Sequence, residues 1–437
     1  MEQANRLTRE QKEAVGLLSI GTFLEYFDLM LYVHMAVLLN ELFFPKYDPF
    51  TNSLLTAFAF CSTYLLRPFG ALLFGYIGDN IGRKHTIIIT TFFMAFSSIV
   101  MFLLPTYAQI GITASWLVTI CRMVQGMASM GELVGAILYL TELIKSPKNY
   151  IAVGIVRTMP ALGTFVALGV ATIVIKYGFN WRYAFLFGAG VALVGSVARS
   201  ALRETPEFID AKKRLVVKGV KVRIKGVKKI VALSYFLIEC PWAIWVYVIY
   251  IHYGAFLKNN LGYSAIDVIQ HNLYISIVGY ISSVITVYLA STIYPLQIMR
   301  IRSIIFCIFL PVFIFLLENE VTILNVAMLQ FFMIAFHPTC LPADPIIFKY
   351  FPVMKRFFSA SMLFAMSRTL MYLFTSFGIV YLTEYLGMLG LLIIIIPVVV
   401  GYFYGLNTFI KLEKEAGNYH KKTFWSIVKV NKEVARV

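Results

Sequence analysis

Asp, Glu, Lys and Arg together make up only 14% of this 437-residue chain, against 59% hydrophobic residues. A soluble domain carries roughly 25% charged residues, so the chain lacks the charge to cover a water-facing surface, and a soluble enzyme is excluded. Cysteine is scarce as well. Cys61, Cys121, Cys240, Cys307 and Cys340 lie singly in apolar stretches, with no CxxC and no His at ligand spacing, so neither a metal nor a cofactor is expected. No nucleophile, base and orienting residue gather at a recognisable spacing, which argues against an intramembrane enzyme. The opening MEQANRLTREQKEAVG is polar and lacks a short apolar core before a small-residue cleavage site. The first apolar stretch is therefore expected to remain in the mature protein.

What the chain does have is long apolar runs. From Thr86 to Cys121 no charged residue occurs, and Pro105 and Gly111 break the run near its middle, as in a hairpin of two membrane spans. The same reading predicts helices near 15–38, 54–77, 86–104, 113–141, 150–175 and 183–201, then near 230–257, 268–292, 300–317, 321–345, 357–383 and 386–410. This is an all-α membrane protein of twelve transmembrane helices in two six-helix bundles. Its predicted parts are a first bundle at 1–202, a basic linker at 203–229, a second bundle at 230–410 and a basic tail at 411–437.

The net charge of +16 is explained by topology. On alternate sides of the map lie 30 and 4 basic residues, with Arg67, Arg122, Arg157 and Arg368 inside spans. Basic residues collect on cytoplasmic loops, so linker, tail and N-terminus are all expected in the cytoplasm, and nucleic acid is not an expected partner.

Arg67-Pro68-Phe69-Gly70, then Gly75-Tyr76-Ile77-Gly78-Asp79-Asn80-Ile81-Gly82-Arg83-Lys84, closes the second span. This resembles the cytoplasmic loop of the major facilitator superfamily. Its glycines permit a tight turn between close helices, and Asp79 can make charge contacts with Arg83 and Lys84 that lock one arrangement of the bundles. Arg67, Gly75, Asp79, Gly82, Arg83 and Lys84 are accordingly the candidate gating residues. Gly21 to Tyr32, Arg122-Met-Val-Gln125-Gly126 with Gly131-Glu132, Trp181-Arg182 and Glu204-Thr205-Pro206-Glu207-Phe208 resemble the metabolite:proton symporter branch, which includes proline/betaine and oxoacid or dicarboxylate transporters. The second half matches more loosely, and its loop from Ser291 to Arg300 lacks the Asp and Gly-Arg of a repeated lock.

An ionisable residue at the bilayer centre costs about 2.5–3.5 kcal/mol and so calls for a partner or a purpose. Glu25, Asp28 and Tyr32 share one helical face. Two carboxylates there suit proton coupling, or else a fixed interhelical salt bridge; Glu132 and Glu239 are the further coupling candidates. Arg122, Gln125 and Glu132 also share a face, and Arg122 and Arg157 offer guanidinium forks for a substrate carboxylate, or else pair with acidic residues and hold the bundle. In the seventh span Pro241 is expected to kink the helix, and Trp242 to offer a ring face to a ligand cation or to pack. Tyr32 completes the candidate substrate set.

The reading that follows from the resemblance is a proton-coupled symporter, a monomer in a bacterial inner membrane, that imports a small carboxylate-bearing metabolite. A transporter-derived receptor is the alternative. The charge count makes a direct prediction: cysteines introduced at Lys218 and Lys258 are labelled by a membrane-impermeant reagent in intact cells only at 258. Labelling at 218 would reverse the orientation.

Overall fold

The computed structural model describes residues 7–35, 39, 42–45, 63–217, 226–319 and 322–419. Expectations for 54–62, for 218–225 of the linker, for 420–437 of the tail, and for Lys46 and Cys61 lie outside the described residues.

Helix α1 (Arg9–His34) starts at a capping box: the Thr8 hydroxyl accepts from Gln11 N at 3.2 Å, and Gln11 Oε1 accepts from Thr8 N at 3.1 Å. There follow α2 (Arg67–Asn80), α3 (Arg83–Leu103), α4 (Ile112–Leu143), α5 (Lys148–Tyr177) and α6 (Arg182–Arg199). A short helix, α7 (Pro206–Val217), forms inside what reads as a polar connection, with proline at its first position where the missing N–H costs nothing. The second half contains α8 (Lys229–Val246), α9 (Tyr253–Leu261), α10 (Ala265–Leu289), α11 (Pro295–Asn319), α12 (Ile323–Phe336), α13 (Asp344–Phe348), α14 (Val353–Leu386) and α15 (Gly390–Glu415). Among the described residues nine helical stretches are long and apolar enough to cross a membrane. The shorter α2, α6 and α12 occupy the other three of the twelve expected positions.

Charged side chains lie inside the helix packing, amid an apolar core, while large apolar side chains face outward. Phe69, Phe92, Phe96, Trp116, Val194 and Tyr288 are exposed, while Glu25, Asp28, Arg122, Glu132 and Glu239 are buried. Apolar surface on this scale needs a lipid solvent.

Two spans are less regular than their sequence suggests. The seventh runs through Pro241 as α-helix and loosens further on, into a π-helical turn at Tyr247–His252 that leads into α9. The tenth, expected as one helix over 321–345, breaks between α12 and α13, where Pro338 and Pro342 withhold backbone donors. A broken helix inside a membrane must have its free carbonyls satisfied by protein. Ala335 O accepts from Arg302 at 2.7 Å and from Ser282 at 2.9 Å, and Thr339 O from the Tyr402 hydroxyl at 2.9 Å.

Small residues set how closely helices approach. A Cβ on Gly126 would lie 2.0 Å from Thr63 O, and one on Gly163 of α5 would lie 2.5 Å from Phe23 O of α1. Around Gly169, one and a half turns further along α5, nothing lies within 4 Å. Gly163→Ala should therefore lower the melting temperature in detergent, by an overpacking cost of about 1–3 kcal/mol, while Gly169→Ala leaves it unchanged. Equal melting of the two variants would contradict the α1–α5 contact.

Candidate functional site

Buried charge gathers first around α1. Asp28 accepts from the Ser98 hydroxyl of α3 and, at 3.5 Å, from Gln125 Nε2 of α4. Gln125 Oε1 accepts from Arg122 at 2.7 Å, and that guanidinium lies over the Tyr32 ring, 4.2 Å from its centroid. Carboxylate and guanidinium are thus joined through an amide, with no direct ion pair between them. Asp28 Oδ1, Glu25 Oε2 and Arg122 Nε are buried without a hydrogen-bond partner. Gly188 of α6 makes room, since a Cβ there would sit 2.7 Å from Asp28 Oδ1. Arg67 stands apart from this relay, over the Tyr64 ring at 4.4 Å.

Glu132 does not join the cluster. Its Oε2 pairs with Arg199 at 2.7 Å, and its Oε1 accepts from Thr90 at 3.0 Å and Thr91 at 2.5 Å. Arg199 reads in the sequence as the first basic residue of the linker region, yet it is fully buried at the end of α6 and also donates to Leu17 O of α1. Gly21 gives it space, for a Cβ there would overlap its guanidinium.

A third group joins the two halves. Arg157 of α5 donates to both Asp344 oxygens, at 3.0 and 3.1 Å from Nε, and pairs with Glu239 of α8 at 2.9 Å. Glu239 Oε2 pairs in turn with Arg368 of α14 at 2.7 Å, and Arg368 stacks over Trp242 at 4.4 Å. One face of Trp242 is thereby covered, and Tyr26 of α1 meets the same ring edge-on at 5.8 Å. Glu239, Cys340 and Asp344 hold potential ligand atoms within 4.8 Å of one another, but both carboxylates are already neutralised by guanidinium groups. Beside this network lies a cavity of about 100 Å³ between the halves, lined by Tyr26, Arg157, Trp242, Tyr250, Arg302 and His337 among others. Of the candidate substrate residues, Arg157 and Trp242 reach it, whereas Tyr32, Arg122 and Gln125 belong to the α1 cluster.

At the end of the bundle bearing the Asp79 loop, the halves are tied directly. Asp79 pairs with Arg83 at 2.9 Å and accepts from Phe357 N and Phe358 N of α14 at 3.1 and 2.9 Å. Arg83 also reaches Glu142 at 3.1 Å and Val353 O at 2.6 Å, and Arg356 pairs with both Glu142 and Glu207 at 3.1 Å. Gly75 and Gly78 let α14 in: their Cβ atoms would lie 2.8 Å from Phe358 Cα and 2.6 Å from the Phe357 ring. Gly82 sits at φ +155°, and Glu204 bonds the backbone N–H groups of Arg83 and Lys84 just beyond it. Lys84 does not reach Asp79; its ammonium donates to Ser200 O at 2.7 Å. In the second half Lys349, Tyr294 and Tyr350 converge on Glu413 of α15. Burial and the Glu413 hydrogen bonds push both phenols up, so they stay protonated donors.

The description sugar (and other) transporter matches residues 15–229. The chain is 30% identical to the proline/betaine transporter of Escherichia coli K12 over 271 residues, 58% of this chain and 54% of the relative. It is 37% identical to a putative metabolite transport protein of Haemophilus influenzae over 207 residues, 45% of this chain and 46% of that protein. The chain spans about half the length of the curated relatives it matches. The solved structure of XylE, a major facilitator superfamily proton:xylose symporter found in E. coli, superposes with a TM-score of 0.72 over 94% of this chain and 96% of that one, at 13% identity. The chain has the fold of the major facilitator superfamily. The family match lies in the first half of this fold, at residues 15–229.

Sequence reasoning missed Asp344, Arg199 and Arg302. All three fall near the ends of predicted spans, and the two arginines count there with the loop charges although the spans 183–201 and 300–317 include them. The Glu132–Arg199 pair yields a prediction. Arg199→Gln leaves Glu132 with threonine hydroxyls alone and should cost about 3–5 kcal/mol, read as a lowered melting temperature, while Glu132→Gln/Arg199→Gln recovers most of it. If the double variant melts no higher than the single one, the pair is not a fixed tie.

Proposed function

We propose that this chain is a proton-coupled symporter that imports a small carboxylate-bearing metabolite by alternating access, the metabolite being a zwitterion such as proline or betaine, or an oxoacid or dicarboxylate. The observation that carries the reading is the Asp28–Gln125–Arg122 relay. A buried carboxylate bonded to a neutral hydroxyl and a neutral amide can gain or lose a proton without breaking an ion pair. Glu132 and Glu239 cannot do so as cheaply, because each is held by arginine. The names of the relatives, a proline/betaine transporter and a proton:xylose symporter, support the same class.

The direction of import rests on the positive-inside count. That count puts the Asp79 end in the cytoplasm, with both termini, and the bacterial relatives support an inner membrane. The interlocked Asp79, Arg83, Glu142 and Arg356 then close the carrier toward the cytoplasm, and cytoplasmic release of substrate requires those contacts to part. The domain division follows: residues 1–202 and 230–410 are the moving bodies, joined by 203–229.

The test is uptake by proteoliposomes under a pH gradient. Asp28→Asn holds the relay in a form resembling the protonated one, so exchange of labelled ligand across the membrane persists, while accumulation falls to simple equilibration. Accumulation at the unaltered level would remove Asp28 from coupling. Ligand binding by the unaltered chain with no transport at all would make it a receptor.

A further inference from the structure

The cavity between the halves is lined by two guanidinium groups in very different states. Arg157 is neutralised by Asp344 and Glu239. Arg302 is not. It lies about 10 Å into α11 at 1.5 Å per residue, and it donates only to uncharged oxygens, Thr286 Oγ1 at 2.7 Å and Ala335 O at 2.7 Å. It forms no ion pair among the described residues, and its Nε is buried without a hydrogen-bond partner. The carboxylates nearest the cavity, Asp344 and Glu239, face Arg157 and Arg368.

An uncompensated guanidinium within a membrane span costs a few kcal/mol and is retained where a partner arrives from elsewhere. The surroundings fit an anion with an apolar body. Tyr26, Trp242 and Tyr250 wall the cavity with rings, and the irregular stretch between α12 and α13 brings His337 and Thr339 to its edge. His337 Nδ1 lies 3.1 Å from Ile334 O and 3.2 Å from Met333 O, which suits its role as a donor to that broken helix end. Interrupted helices that line a cavity are a recurrent way of building transport sites.

We propose that this cavity binds the carboxylate of a small organic acid and that Arg302 is the residue that neutralises it. This rests on the transport reading above for its physiological ligand, and it narrows that reading: the lining supplies a positive charge for a carboxylate and no free negative charge for an ammonium group. The competing account makes Arg302 only a cap on the C-terminal carbonyls of α12, where a cation is favourable in its own right.

Purified full-length protein is titrated with pyruvate, 2-oxobutyrate, succinate, proline, betaine, pyruvamide, chloride and inorganic phosphate, following melting temperature and binding heat. The expected result is a shift with at least one of the organic acids, none with pyruvamide, and affinity weakened about ten- to one-hundred-fold in Arg302→Gln and less in Arg302→Lys. Should Arg302→Gln fail to fold, the unaltered protein still decides: an equal response to pyruvamide and pyruvate, or a response to chloride and phosphate but to no organic acid, overturns the proposal. So does a folded Arg302→Gln that binds with unchanged affinity, the result the capping account predicts. Failure of the transport reading looks different, namely organic-acid binding lost in Arg302→Gln while unaltered protein accumulates no ligand in vesicles.

Discussion

A membrane interior offers no water to a buried charge, and this protein meets that constraint with arginine. Each buried carboxylate outside the α1 cluster is held by a guanidinium or ammonium group: Glu132 by Arg199, Asp344 and Glu239 by Arg157 and Arg368, Glu142 by Arg83 and Arg356, Glu413 by Lys349. Because guanidinium is planar and has donors to spare, one arginine can serve two chain segments at once. The two halves meet through such shared arginines, so the pairing that makes the charges tolerable also sets the relative position of the bundles.

Much of this was legible beforehand, for physical reasons. The spans stand out because lipid demands about twenty apolar residues in a row, and the Asp79 loop because its glycines and charges fall at fixed spacing. The facing of Glu25, Asp28 and Tyr32 follows from helical period alone. Partner identity was not legible, because periodicity describes one helix and an ion pair needs two. Thus Glu132 and Arg122 share a helix face, yet Glu132 is tied to Arg199, 67 positions away. Lys84 was expected beside Asp79, and instead the backbone N–H groups of Phe357 and Phe358 take that place. The broken tenth span was hidden because Pro338 and Pro342 sit in a run apolar enough to read as one helix.

The second half replaces rather than repeats what the first half does at the basic end. Its loop lacks the acidic and Gly-Arg residues of the first, and Glu413 on the last helix gathers two phenols and Lys349 there. Hydroxyl donors hold less strongly than a guanidinium fork. The Glu413 cluster ties second-half segments to one another, whereas the Asp79 side carries ties between the halves.

Arg83 carries a kinetic implication. Its side chain is bonded at once to Gly78, Asp79, Glu142 and Val353, from three separate stretches of the chain. Giving up one of those bonds leaves the others in place and gains little freedom, so the clasp has no stable half-open form. Opening is then all-or-none: an ensemble of molecules should divide between two discrete spacings of the helix ends, with brief jumps between them, instead of drifting through a continuum of widths.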